Sequence, residues 1–183
     1  MKKIFAILAL ALTGTAFAAD YVSIDVDNVQ GRKGASDSTA QYLRAGKGFG
    51  TYQLGLQART ATVEGGGLLN SFEATVANNK IGFAGITPFV GVGHDNGFNG
   101  AHGASYQYGL VGATYGLKAG PGYLLTGVKT RVGSTEDSRT KQTVTFATYS
   151  VPVAKNVSVN LNASRSSQDI KESAMGLGLA FSF

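Results

Sequence analysis

Near the middle of the chain, His94-Asp95 sets an imidazole beside a carboxylate, with His102 and Ser105 a few positions on. A base, an acid and a hydroxyl are the parts of acid–base or nucleophilic catalysis. Their surroundings, residues 93–103, are rich in Gly and Asn and read as a long loop. No ordered triad emerges from the spacing, and no acidic pair stands opposite. The histidines therefore read as incidental to the loop, and the chain as not an enzyme. Two histidines and one Asp without regular ligand spacing make a poor metal set. The chain has no Cys, which excludes thiolate ligands and a thiol nucleophile, so no metal or cofactor is expected. Asp25 and Asp27 are a second carboxylate pair, two apart and thus on one face of an extended segment. Salt-bridge partners are the reading that suits them. Gly46-x-Gly48-x-Gly50 and Gly91-x-Gly93 do not open a helix, so neither is a phosphate loop.

The elements that must carry these residues are strands. Apolar and polar residues take turns with period two along short segments, the period of a half-buried strand. In 21–29, Val22, Ile24 and Val26 oppose Ser23, Asp25 and Asp27; in 50–62, Tyr52, Leu54, Leu56 and Ala58 oppose Thr51, Gln53, Gln57 and Arg59. The same reading gives strands at 38–45, 71–77, 81–92, 104–117, 123–132, 141–151, 157–164 and 173–183. The segment 81–92 is irregular, and Pro88 implies a bulge there. Residues 104–117 change phase after Leu110, and the facing of 141–151 is left open. The total is ten strands; eight is the rival if 81–117 folds differently. Long polar loops alternate with short turns such as Asn78-Asn79-Lys80 and Lys118-Ala119-Gly120-Pro121-Gly122.

An open sheet of that size leaves two unpaired edges, and closure into a barrel removes them. Charges recur on one face: Asp25, Asp27, Arg44, Arg59, Glu73, Lys129 and Arg131. An outward Lys or Arg at mid-bilayer costs about 2–4 kcal/mol, so these belong inside. There they form either a salt-bridged plug or a constriction passing small solutes. Wide channels arise at about 16 strands, so any conductance is small. Tyr52, Phe89, Tyr106, Tyr108, Tyr123, Phe181 and Phe183 lie near strand ends and suit two aromatic girdles.

The last segment carries the most specific motif. Met175, Leu177, Leu179, Phe181 and Phe183 alternate with Ala174, Gly176, Gly178, Ala180 and Ser182. This ending resembles the C-terminal recognition strand of Gram-negative outer-membrane barrels. The pattern of the whole chain is similar to opacity-type and OmpA-like transmembrane barrels and small porin-like proteins. The resemblance implies a closed antiparallel up-and-down all-β transmembrane barrel in the bacterial outer membrane. Its implied partners are outer-membrane lipid, lipopolysaccharide, periplasmic chaperones and the barrel assembly machinery, which reads the terminal strand. No separate periplasmic domain is expected.

Residues 1–19 read as a signal peptide: Lys2 and Lys3, an apolar run too short to span a bilayer, then Thr15-Ala16-Phe17-Ala18. Residues 20–183 are then the barrel. The formal charge of +5 includes the two leader lysines and is scattered, so nucleic-acid binding is not indicated. A structural or narrow-pore role is expected, with adhesin-like binding through the loops as the alternative and a hydrolase of lipid A or peptide at the rim as a distant third. Oligomeric state is not legible.

Overall fold

The structure is a computed structural model and describes residues 21–31, 37–63, 67–96, 105–133, 142–168 and 171–183. The expected leader, 1–19, and His102 lie outside the described residues. Ten strands follow in order: β1 (Tyr21–Gly31), β2 (Ser38–Phe49), β3 (Tyr52–Val63), β4 (Gly67–Asn78), β5 (Ile86–Asn96), β6 (Tyr106–Ala119), β7 (Gly122–Val132), β8 (Gln142–Ala154), β9 (Val157–Gln168) and β10 (Glu172–Ser182). Each pairs antiparallel with its chain neighbours, and β1 closes on β10. The count is ten, not eight. Closure gives every strand two partners, which matters in hydrocarbon, where an unpaired backbone group has no water to turn to.

Alternation sorts the wall. On β1, Ser23, Asp25, Asp27 and Val29 are buried while Ile24 and Val26 are exposed. Laddered partners share a face, so this assignment carries round the barrel. Large apolar residues cover the outside, including Leu56, Phe72, Val90, Val92, Val111, Leu161 and Leu177. In water such a surface would be unsustainable, and in a bilayer it is the solvated one.

Several sequence expectations need correcting. Strand β5 begins at Ile86, not 81. Residues before it form a turn with an isolated Phe83↔Ile86 bridge and positive φ at Ala84 and Gly85, and Ile81 and Phe83 are exposed apolar residues of that turn. Pro88 makes no bulge. The ladder to β4 starts only at Phe89, so its missing N–H leaves no gap on that side, and the β6 register stays regular through it. The irregularity falls instead between Pro152 and Ala154. Strands also run further into the polar segments: Gly46–Phe49 continues β2, Gly67 opens β4, and β5 continues through Asn96. The connections are 32–37, 64–66, 97–105, 133–141 and 169–171 at one end, and 50–51, 79–85, 120–121 and 155–156 at the other. The first set is called the loop end and the second the turn end, which also holds both barrel termini. Strand β6 has no change of phase. Its first apolar residues, Tyr106, Tyr108 and Leu110, point inward, and Val111 and Tyr115 point out.

Candidate functional site

Inside the barrel, successive ladder partners build a polar row: Ser23, Arg44, Gln57, Glu73, Gly93 and Tyr108, on β1 to β6. The side chains join. Asp25, two residues above Ser23, accepts from Ser23 Oγ at 2.9 Å and pairs with Arg44 Nη1 at 2.6 Å. Arg44 Nε donates to Gln57 Oε1 at 2.9 Å, and Gln57 Nε2 donates to Glu73 Oε2 at 3.2 Å. Glu73 pairs with Lys129 of β7 and accepts from Tyr108 at 3.2 Å. In the other direction, Asp25 Oδ1 accepts from Asn160 at 3.3 Å and Asn162 at 2.8 Å, both on β9. Ser150 and Thr148 of β8 donate to those two carboxamides at 2.8 and 2.9 Å. One connected belt thus runs from β8 through the β10–β1 seam to β7.

Two strands in the belt contribute glycine, and the reason is reach. Tyr108 passes over Gly93 to touch Glu73, and a Cβ at Gly93 would lie 2.3 Å from the ring. Asp25 passes over Gly178 to the β9 carboxamides, and a Cβ there would lie 2.0 Å from its Oδ1. The small residues of the closing strand are therefore what lets β1 grip β9 across β10.

Toward the loop end a second row follows: Tyr42, Arg59, Ser71, Asp95 and Tyr106. Arg131 pairs with Asp95 at 2.9 Å, donates to Tyr106 at 2.6 Å and lies 4.1 Å over the Tyr108 ring. Tyr106 in turn donates to Asp95 at 2.7 Å. Arg59 lies 3.9 Å from Glu172 and faces the Tyr42 ring. Among the described residues Asp27 has no ion pair, and its Oδ1 is buried without a partner against Gly176. Beside it Val29, Ala40, Ala61 and Ala174 form an apolar cluster against which Tyr42 and Leu69 pack.

The seven charges singled out in the sequence thus sit in the lumen, joined by two carboxylates that sequence reasoning missed, Asp95 and Glu172. Both fall outside the strands that the alternation marks cleanly. The structure does not make His94-Asp95 a pair. They are consecutive on β5, so Asp95 points in and His94 points out, where its Nε2 lies 2.7 Å from Asn96 Oδ1. Ser105 donates to that same Asn96 oxygen at 3.2 Å, so it is not presented to the imidazole. Phe89, Tyr106, Tyr108 and Tyr123 are not girdle residues. They line the lumen, Phe89 lying over Gly112 and Tyr123 over Gly116. Tyr52 and Phe181 do point outward near the turn end, with Met175, Leu177 and Leu179 continuing the outward face of β10 and Phe183 exposed just beyond it.

No family model matches the sequence, and no curated protein matches it. Among solved structures the chain is similar to Neisserial surface protein A, at 12% identity over 89% of this chain and 96% of that one, with a TM-score of 0.42. It is similar to the KdgM porin, solved with disordered oligogalacturonate, at 8% identity over 89% and 99%, TM-score 0.46. It is also similar to the N-terminal barrel domain of Pseudomonas aeruginosa OprF, at 14% identity over 90% and 98%, TM-score 0.36. By its own geometry, closed and antiparallel with an apolar outside and a polar inside, the chain is a β-barrel of the bacterial outer-membrane type.

Proposed function

We propose that this protein is a structural outer-membrane barrel whose lumen is sealed by its own side chains, so that passage is limited to ions or very small solutes. The observation that carries this is the connected belt, in which Asp25 is fully buried and Glu73 nearly so, with Asp95 buried in the row beside it. A water-filled constriction would leave such charges hydrated. Here each lumenal cation beside the belt faces a carboxylate of the wall. The role is not enzymatic: the imidazole and the carboxylate that looked catalytic occupy opposite sides of the wall. Residues 1–19 act as a cleaved leader, and periplasmic chaperones and the barrel assembly machinery receive Met175, Leu177, Leu179, Phe181 and Phe183. The turn end then faces the periplasm and the loop end the exterior, where lipopolysaccharide surrounds the wall.

Planar-bilayer recording of the refolded barrel tests the seal. The wild type is expected to be silent at high salt, and Arg44→Ala with Lys129→Ala to give openings, because both cut the belt. Sustained steps from the wild type would favour the constriction and refute the plug.

A further inference from the structure

On the outer wall, near the seam, the strands β7 to β10 leave a groove of about 560 Å³. Register explains it. One outward row reads Leu124, Tyr149, Leu161 and Leu177, all large; the next, toward the loop end, reads Thr126, Ala147, Ala163 and Met175. Ala147 and Ala163 are ladder partners, so two adjacent methyl groups form a floor between taller side chains. The row beyond reads Val128, Thr145, Arg165 and Ser173. Arg165 therefore stands on the same strand face as Ala163, roughly 6–7 Å further toward the loop end.

Arg165 is unusual for this wall. Among the described strand residues, Lys47 and Arg165 are the cations that point outward, and Lys47 is at the turn end. Of the others, Arg44, Arg59, Lys129 and Arg131 turn inward to carboxylates, and Lys118 has the inward phase at the turn end. Arg165 is exposed, and among the described residues its guanidinium has no carboxylate within ion-pair distance. An outward Arg is tolerable only near the headgroup level, where it is free to meet a phosphate in a two-pronged contact. Hydroxyls flank it on Thr145 and Ser173, and Gln30 follows in the row on β1.

We propose that this face is a binding site for one acylated, phosphorylated saccharolipid of the outward leaflet: an acyl chain lies on Ala147 and Ala163, and a sugar phosphate sits on Arg165. The neutral hydroxyl and carboxamide groups around the cation suit sugar hydroxyls, which a glycerophospholipid headgroup supplies more sparsely. The assignment rests on the orientation proposed above, with the loop end outward.

Native mass spectrometry of the detergent-folded barrel, titrated with purified lipid A and separately with phosphatidylglycerol, tests it. The wild type is expected to keep one lipid A, and Arg165→Ala and Ala163→Phe each to weaken retention about tenfold, the scale of one lost charged contact or a blocked chain. Arg165→Lys keeps part of the affinity, and Lys47→Ala at the far end leaves it unchanged. Heat-modifiable migration shows that each variant is folded; Ala147→Phe repeats the groove test where Ala163→Phe is not. Equal retention by Arg165→Ala and wild type overturns the site. Phosphatidylglycerol held as tightly as lipid A overturns the saccharolipid assignment. A folded, sealed barrel with no lipid preference removes the site alone, whereas a chain compact and soluble without detergent removes the reading beneath it.

Discussion

Replacing Gly178 with alanine tests whether the closing strand is glycine-rich for the sake of the seam. The new Cβ would lie 2.0 Å from Asp25 Oδ1 and 2.5 Å from its Cγ, with the Ile24 carbonyl at 2.8 Å. Asp25 cannot swing away freely, because it is fully buried and held by Ser23, Arg44, Asn160 and Asn162. Displacing it breaks a buried ion pair and strands the carboxamides of β9. Removing one partner of such a pair costs about 3–5 kcal/mol, so the variant is expected to lose that much. Asp25→Ala, which removes the clashing carboxylate and the pair together, is expected to lose a similar amount. The double variant is expected to lose no more than either alone, because the alanine then has only the carbonyl to meet. Urea unfolding of the refolded barrel in lipid vesicles measures all three. Tyrosine fluorescence and heat-modifiable migration serve as readouts, since the chain has no Trp. Additive losses, or a Gly178→Ala midpoint equal to wild type, would refute the idea that Asp25 reaches β9 over that glycine.

Other perturbations separate the two faces of the wall. Leu179→Lys turns a charge into hydrocarbon and is expected to cost about 2–4 kcal/mol and to lower membrane yield, whereas Ser158→Lys on the lumenal face is expected to be mild; equal yields would reverse the facing. Arg131→Lys is expected to destabilise the barrel although the charge is kept, since an ammonium lacks the planar fork that pairs with Asp95, donates to Tyr106 and lies flat on the Tyr108 ring; an unchanged urea midpoint would dismiss that network. His94→Ala is expected to leave stability within about 0.5 kcal/mol and to leave lipid A chemistry in the host membrane unaltered; altered lipid A would revive a catalytic role. Deleting Phe183 is expected to slow assembly in cells more than refolding in detergent, because the residue lies beyond β10 and is exposed; equal defects in both would make its part structural rather than a signal.

Most of the wall was legible because a strand has a period of two and the bilayer enforces it. What the alternation could not show is which apolar residues belong inside. Phe89, Tyr106, Tyr108 and Tyr123 suit girdles as aromatic residues near strand ends, yet a narrow lumen must also be filled. A signal existed in the partner strands: Gly112 opposite Phe89, Gly93 opposite Tyr108 and Gly116 one ladder step from Tyr123 leave gaps that only a neighbouring ring can fill. A glycine on the inward phase of one strand marks a large inward side chain on the next. The same rule explains the closing strand, where Asp27 and Asp25 lie across Gly176 and Gly178.

The reading of residues 93–103 as a loop conceals Asp95, and the strand start at 173 conceals Glu172. Once β5 is allowed to run through Asn96, its own alternation turns Asp95 toward Arg131 and His94 away from it. The apparent acid–base pair dissolves for the same reason that the lumenal network gains a member. Adjacent residues in a barrel wall look onto different solvents, so sequence proximity argues against joint chemistry there. Partnership in this fold runs instead across the ladder, as from Asn160 over Gly178 to Asp25 and from Tyr108 over Gly93 to Glu73. A side chain in such a wall can act with its second neighbour across a glycine, and that contact links β9 to β1 and β6 to β4 in a belt otherwise made between adjacent strands.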